Sequence, residues 1–165
     1  MPNWCNNNLR VFGPEADVQR FKEQATGQSP WHKEDGTDQN ILNFHNLVPI
    51  PPEVIAAGYD PAGFEWERNN WGCKWGACSA SLADEWEGTL IYAFETAWSP
   101  PVPFLEKLAP QWPALTFLLD YEEMGMGFKG ITKVRGDAVE DHCLDLCNPL
   151  PSQLKKIEAI DHVIN

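Results

Sequence analysis

Thr89-Leu90-Ile91-Tyr92-Ala93-Phe94-Glu95-Thr96-Ala97-Trp98-Ser99-Pro100-Pro101 is the stretch that decides the fold. Leu90, Tyr92 and Phe94 recur at every second position, the period of a strand with one buried face. Ser99-Pro100-Pro101 ends that strand, because proline brings no amide donor to a ladder, and it suits the first turn of a helix. The helix carries Phe104, Leu105 and Leu108 on one stripe. After it, Leu115, Phe117, Leu119 and Tyr121 alternate as a further strand over residues 115–122. On the other side, residues 77–84 read as a strand joined to residues 89–97 by a hairpin turn at Glu85-Trp86-Glu87-Gly88.

Working toward the N-terminus, residues 4–12 alternate as a strand with Cys5, Leu9 and Val11 on one face. Gly13-Pro14 then opens a helix whose apolar stripe is Val18, Phe21 and Ala25. The main elements therefore run strand, helix, strand, strand, helix, strand. That order predicts an α+β fold of the ferredoxin-like split βαβ kind (βαββαβ), an antiparallel sheet with helices on one face. Phe128 to Arg135 and Ala138 to Leu146 add a hairpin around Gly136-Asp137. Ser152 is expected to cap a last helix with Leu154, Ile157, Ile160 and Ile164 on one side. The domain reading is one unit over residues 1–165, with insertions at about 26–76 and a C-terminal extension from about 131.

Inside the insertion, Gly27 to Asn40 is polar and reads as a surface loop. Asn43 to Pro52 is apolar but broken by prolines, so it is expected to lie extended over the core edge rather than inside the sheet. A short helix at residues 53–57 follows. Asp60-Pro61 then caps a second one to about Asn70, ended by Gly72. Tryptophans sit beside turn residues at Trp4, Trp71, Trp75 and Trp98. A large, stiff ring with one donor pins a bend against a core, so Trp4, Trp71 and Trp98 are expected to be buried, with Trp75 protruding. Tyr92, Phe94, Phe117 and Tyr121 are assigned to the helix-facing core rather than to an open base-stacking face.

The 165 residues carry 24 acidic and 12 basic side chains, a net charge of −12. That field opposes phosphate backbones and anionic membrane surfaces, so neither nucleic acid nor membrane is an expected direct partner. A protein partner, basic in character, is the expectation that remains. No secretory pattern opens the chain and no apolar run reaches the ~20 residues of a membrane span. Five cysteines, an odd number, read as reduced thiols in a cytosol.

Few motifs survive a physical reading. Gly125-Met126-Gly127-Phe128-Lys129-Gly130 has the spacing of a nucleotide loop, but β-prone residues follow where a dinucleotide site needs a helix, so it reads as a turn. Arg135-Gly136-Asp137 reads as a hairpin turn. His45 stands in an apolar setting with no nucleophile signature beside it. The paired acids of Asp84-Glu85-Trp86-Glu87 and Asp120-Tyr121-Glu122-Glu123 alternate faces and read as solvated strand ends. Cys73, Cys78, His142 and Cys143 are the one set that could ligate a tetrahedral metal or serve an enzyme, at spacings looser than the usual pairs. No catalytic residue, cofactor or metal is assigned. Trp75, Trp86, Glu85 and Glu87 form the candidate partner surface.

Four stretches resemble the YubB-type ferredoxin-like family, uncharacterised proteins of phages, plasmids and other mobile elements. They are Met1-Pro2-Asn3-Trp4-Cys5-Asn6-Asn7, Asn70 to Ala77, Phe94 to Pro101, and Tyr121-Glu122-Glu123 through Gly125, Gly127 and Phe128. The chain departs from the pattern at Cys73, where a threonine is expected, and at Gly76, where Asp or Asn is. The resemblance implies the fold and no catalytic residues. The functional expectation is a non-enzymatic, acidic protein-interaction module. The alternatives are a Cys/His metal protein or enzyme using the set above, and a nucleic-acid mimic acting on a DNA-binding protein.

Overall fold

Alternation along the first strand sets the two faces of the sheet. In β1 (Trp4–Phe12), Cys5, Asn7, Leu9 and Val11 are buried, while Asn6, Asn8, Arg10 and Phe12 point the other way. The computed structural model describes residues 1–31 and 39–162. Within them β1 pairs antiparallel with β3 (Thr89–Ala97) and β4 (Thr116–Glu123), with Leu9 opposite Tyr92 on one side and Leu119 on the other. β2 (Cys78–Trp86) pairs with β3, and β5 (Phe128–Arg135) joins β4 to β6 (Ala138–Asp145). The six-stranded order is β2-β3-β1-β4-β5-β6. Its first four strands are the arrangement expected from the sequence. The hairpin β5–β6 extends the sheet beyond β4.

Two helices close one face. α1 (Glu15–Ala25) buries Val18, Phe21 and Ala25, and α5 (Val102–Leu108) buries Phe104, Leu105 and Leu108, the stripes read from the sequence. The Phe21 ring stands edge-on to Tyr92, Trp112 and Phe117, with centroids 5.3–6.5 Å apart. Tyr92, Phe94, Phe117 and Tyr121 therefore all lie in the helix-facing core. A polar pair, Asn7 and Thr96, is built into it. Asn7 donates to the Cys5 carbonyl and to Thr96 Oγ1, both at 2.9 Å, and Thr96 donates in turn to the Ser99 carbonyl. This pairing satisfies a buried amide and ties β1 to the start of α5.

The insertion covers the core and adds no strand to the sheet. Leu42, Phe44, Leu47, Val48 and Ile50 are buried, and Phe44 stacks on Phe104 at 3.7 Å. The expected extended path is interrupted by one helical turn, α2 (Phe44–Leu47), because the Asn43 side chain accepts from the Asn46 amide and caps it. α3 (Pro52–Ala57) follows. The helical segment expected from Asp60-Pro61 begins as a wide turn, Tyr59–Gly63, and runs into α4 (Phe64–Asn70). A bridge between Gly27 and Asn40 closes the preceding loop. The rest of that loop reading, residues 32–38, lies outside the described residues, as does Ile164 of the last helix.

The second face is partly covered by α6 (Pro151–His162), whose Ile157 and Ile160 pack on Phe12, Leu118 and Ile131. Ser152 sits inside its first turn rather than at its cap, because Pro151 already opens the helix. The β2–β3 hairpin is tighter than expected. Glu85 and Trp86 stay in the ladder and Glu87-Gly88 alone make the turn.

The tryptophan expectation fails at Trp98 and holds at Trp71. Trp98 is 46% exposed, since its backbone turns at φ +72° where β3 gives way to α5, and its amide donates to the Asn3 carbonyl. That turn swings the side chain outward. Trp4 is half-buried, with its ring 6.3 Å from that of the exposed Trp75. Trp71 does the pinning. It is buried, its Nε1 donates to the Val48 carbonyl at 3.1 Å, and its ring meets Phe44 and Trp66 edge-on. Trp71→Ala is therefore expected to cost ~3–5 kcal/mol and Trp98→Ala less than about 1 kcal/mol. Urea denaturation of the two variants checks this; equal losses would contradict it.

Candidate functional site: an aromatic recess held by Glu67

Glu67 lies on the inner side of α4 and has no exposed surface. A buried carboxylate is costly unless donors surround it. Here three do. Trp31 Nε1 donates to one carboxylate oxygen at 2.9 Å, and the Trp75 amide donates to the other at 2.7 Å. The Tyr59 hydroxyl completes the set at 3.4 Å. The donors come from three places in the chain: the segment before residue 32, the turn ahead of α4, and the loop after it.

That last loop is unusual in its backbone. Gly72 and Gly76 have φ of +81° and +67°, and between them Trp75 takes φ +70°. A bulky residue in the left-handed region costs roughly 1–2 kcal/mol, and such strain persists only where the surroundings impose it. The carboxylate bond to the Trp75 amide and the Ser99 hydroxyl bond to the Gly72 carbonyl at 2.5 Å are what impose it. The result is a Trp75 ring that is 46% exposed, with Lys74 Nζ lying 3.9 Å over its centroid. Its face already carries a cation.

Trp31, Tyr59 and Trp75, the three donors to Glu67, also line one recess of about 820 Å³, with Phe44, His45 and Trp71 completing its apolar wall. The Trp31 and Tyr59 rings meet edge-on at 5.4 Å. This volume lies within the ~300–1,000 Å³ of small-ligand sites. The ionisable groups around it are tuned away from nucleophilic chemistry. Burial raises the Cys73 and Cys78 thiols and the Tyr59 hydroxyl, so none is an activated nucleophile. Burial lowers His45, whose Nδ1 already accepts from the Ile50 amide at 3.0 Å. Burial likewise raises Glu67, against the three hydrogen bonds that pull it down.

The sequence-derived candidates are dispersed. Cys73 is buried beneath this loop and Cys78 begins β2, whereas His142 and Cys143 lie on β6, the opposite edge of the sheet. Among the described residues, no group of three or more His, Cys, Asp or Glu side chains is placed to hold a metal ion. Of the partner-surface candidates, Trp86, Glu85 and Glu87 cluster at the β2–β3 hairpin. They lie roughly 25 Å along β2 from the loop that carries Trp75. Glu85 is paired there with Lys22 at 2.7 Å, which holds its carboxyl below the usual range. The glycine motif is spent on the β4–β5 turn. Glu123 accepts from the amides of Gly125 and Met126, and Gly130 leaves room for the Tyr121 ring, which would lie 2.3 Å from a Cβ there. Gly136-Asp137 forms the β5–β6 turn. Glu67 itself was not singled out from the sequence. Its only signal is a glutamate between Trp66 and Trp71 in a segment read as a short helix.

The family model for the ferredoxin-like domain in Api92-like proteins matches residues 70–162, more than half of the chain. The match opens at the last residue of α4, so β1 and α1, which complete the fold, lie ahead of it. Among solved structures, the chain is similar to the crystal structure of a protein api92 from Yersinia pseudotuberculosis. The TM-score is 0.67 at 10% identity, covering 86% of this chain and 97% of that one, a likeness of fold. No curated protein matches. Among the described residues no helix is long and apolar enough to cross a membrane.

Folding raises the pKa of Glu67 above its ordinary 4.5, so the folded chain holds that proton more tightly than the unfolded one. Stability from this group is present below that value and is lost as pH rises through the folded pKa. The stability of the wild type minus that of Glu67→Gln is therefore expected to fall as pH rises from about 4.5. Urea titrations of both proteins across the acid range measure it; a difference that grows with pH would contradict the assignment.

Proposed function

This chain belongs to the family of Api92-like ferredoxin-like domains, and we propose that it is a non-enzymatic interaction module that takes a cationic segment of a partner protein into the recess over Glu67. One observation carries the reading. A single buried carboxylate fixes three aromatic residues that line the same recess, so the binding surface is rigid before any partner arrives. Preorganisation of this kind removes ordering costs from binding. Tryptophan and tyrosine are the side chains most often found carrying interface energy. The net charge of −12 favours a basic partner over an acidic one. The resemblance to YubB-type proteins supports placing the module in the cytosol, at work on a host protein for a phage, plasmid or other mobile element.

Selection of displayed random peptides against the whole protein tests the reading. Bound peptides are expected to be enriched in Lys and Arg. Trp75→Ala, at an exposed position, should lose them while keeping its melting temperature within a few degrees. Selection of acidic peptides, or retention of the basic ones by Trp75→Ala, would overturn it.

A further inference from the structure

On the sheet face opposite α1 and α5, register assembles a second site at the far end of β2. Trp86 pairs with Thr89, Thr89 with Phe12, and Phe12 with Thr116, a row running across β2, β3, β1 and β4. The neighbouring row adds Arg10, and β5 adds Lys133 and Arg135 on the same face. These seven residues enclose a cavity of about 380 Å³. Three of the chain's twelve basic residues line it and no acidic residue does, in a protein of net charge −12. Neither Lys133 nor Arg135 is in an ion pair with any described residue. At the opposite wall the Trp86 ring is 49% exposed.

We propose that this cavity binds a free mononucleotide, its phosphate held by Lys133 and Arg135 and its base stacked on Trp86. A guanidinium and an ammonium, with Thr116 on the neighbouring strand, match phosphate oxygens in charge and hydrogen bonding. An exposed indole next to Phe12 offers a base the stacking surface that aromatic side chains supply in single-strand binders. The volume lies toward the lower end of the range of small-ligand sites, about 300–1,000 Å³. A strand is disfavoured because acids ring the site. Glu87 follows Trp86 in the hairpin turn, Glu140 faces Lys133 across the ladder, and Asp137 follows Arg135 in the turn. Each would oppose a second phosphate. The site is separate from the recess over Glu67, and the inference does not rest on the function proposed for that recess.

Calorimetric titration of the full chain with adenosine 5′-monophosphate tests it, with adenosine, inorganic phosphate and a 5′-phosphorylated oligonucleotide as comparison probes. The expected result is saturable binding of the monophosphate with Kd at or below about 1 mM. Arg135→Glu, at an exposed position, should weaken it about tenfold or more. Trp86→Leu should weaken the monophosphate but leave inorganic phosphate unchanged. The proposal is overturned if the monophosphate does not bind, if Arg135→Glu binds it equally well, if adenosine alone binds as tightly, or if only the oligonucleotide binds.

Discussion

The bond network of the Glu67 carboxylate is the constraint on which the functional half of the molecule depends. A charged or polar group without solvent must find partners, and Glu67 finds them in Trp31, Tyr59 and the Trp75 amide. Those three are otherwise unrelated in the chain. Without a common acceptor, the loop carrying Trp75 loses one of the two bonds that hold it at a positive φ, and the two aromatics before α4 lose their shared partner. The carboxylate converts three separate segments into one surface. Replacing it with an apolar side chain would leave an indole N–H and a backbone amide unpaired, a loss larger than that of any one bond.

This arrangement is possible because the rest of the fold is conventional. The sheet and its two crossover helices bury the large aromatics on one face, with Asn7 and Thr96 satisfying each other inside it. The insertion between α1 and β2 lies over the edge of that core, and Trp71, bonded to the Val48 carbonyl, anchors it there. Core and recess share a wall, since Phe44 stacks on Phe104 on one side and lines the recess on the other. The opposite face is divided differently. α6 covers Leu118 and Ile131, and what it leaves open toward β2 is a patch of cations and aromatics. The two cavities thus lie near the two ends of β2, one walled largely by aromatics, one lined by cations.

The framework was readable because it follows period alone. Leu90, Tyr92 and Phe94, and Leu115 to Tyr121, alternate cleanly, and the stripes Val18-Phe21-Ala25 and Phe104-Leu105-Leu108 fall where helices bury them. The sites were hardly readable, for the opposite reason: they are made by long-range geometry. Trp98 and Trp75 carry the same turn-flanked signature as Trp71. Only the positive backbone angles of the first two, against the carbonyl partner of the third, separate outward rings from a buried one. Glu67 looks like any charge on a surface helix until the loops on either side fold over it. Lys129, Lys133 and Arg135 share one face of a single strand by period alone. That Arg10, Phe12 and Trp86 complete a cavity with Lys133 and Arg135 depends on register across five strands, which no local pattern carries.

The most direct test of the account is the Trp31 indole N–H, followed by NMR as pH is varied. Held against the Glu67 carboxylate, that proton should exchange slowly with water. Its resonance should shift along one titration, with a midpoint above the ordinary glutamate value of 4.5, and the shift should be absent in Glu67→Gln. An indole proton that exchanges as fast as that of the exposed Trp86, or that keeps its titration in Glu67→Gln, would contradict the claim that Glu67 holds the recess together.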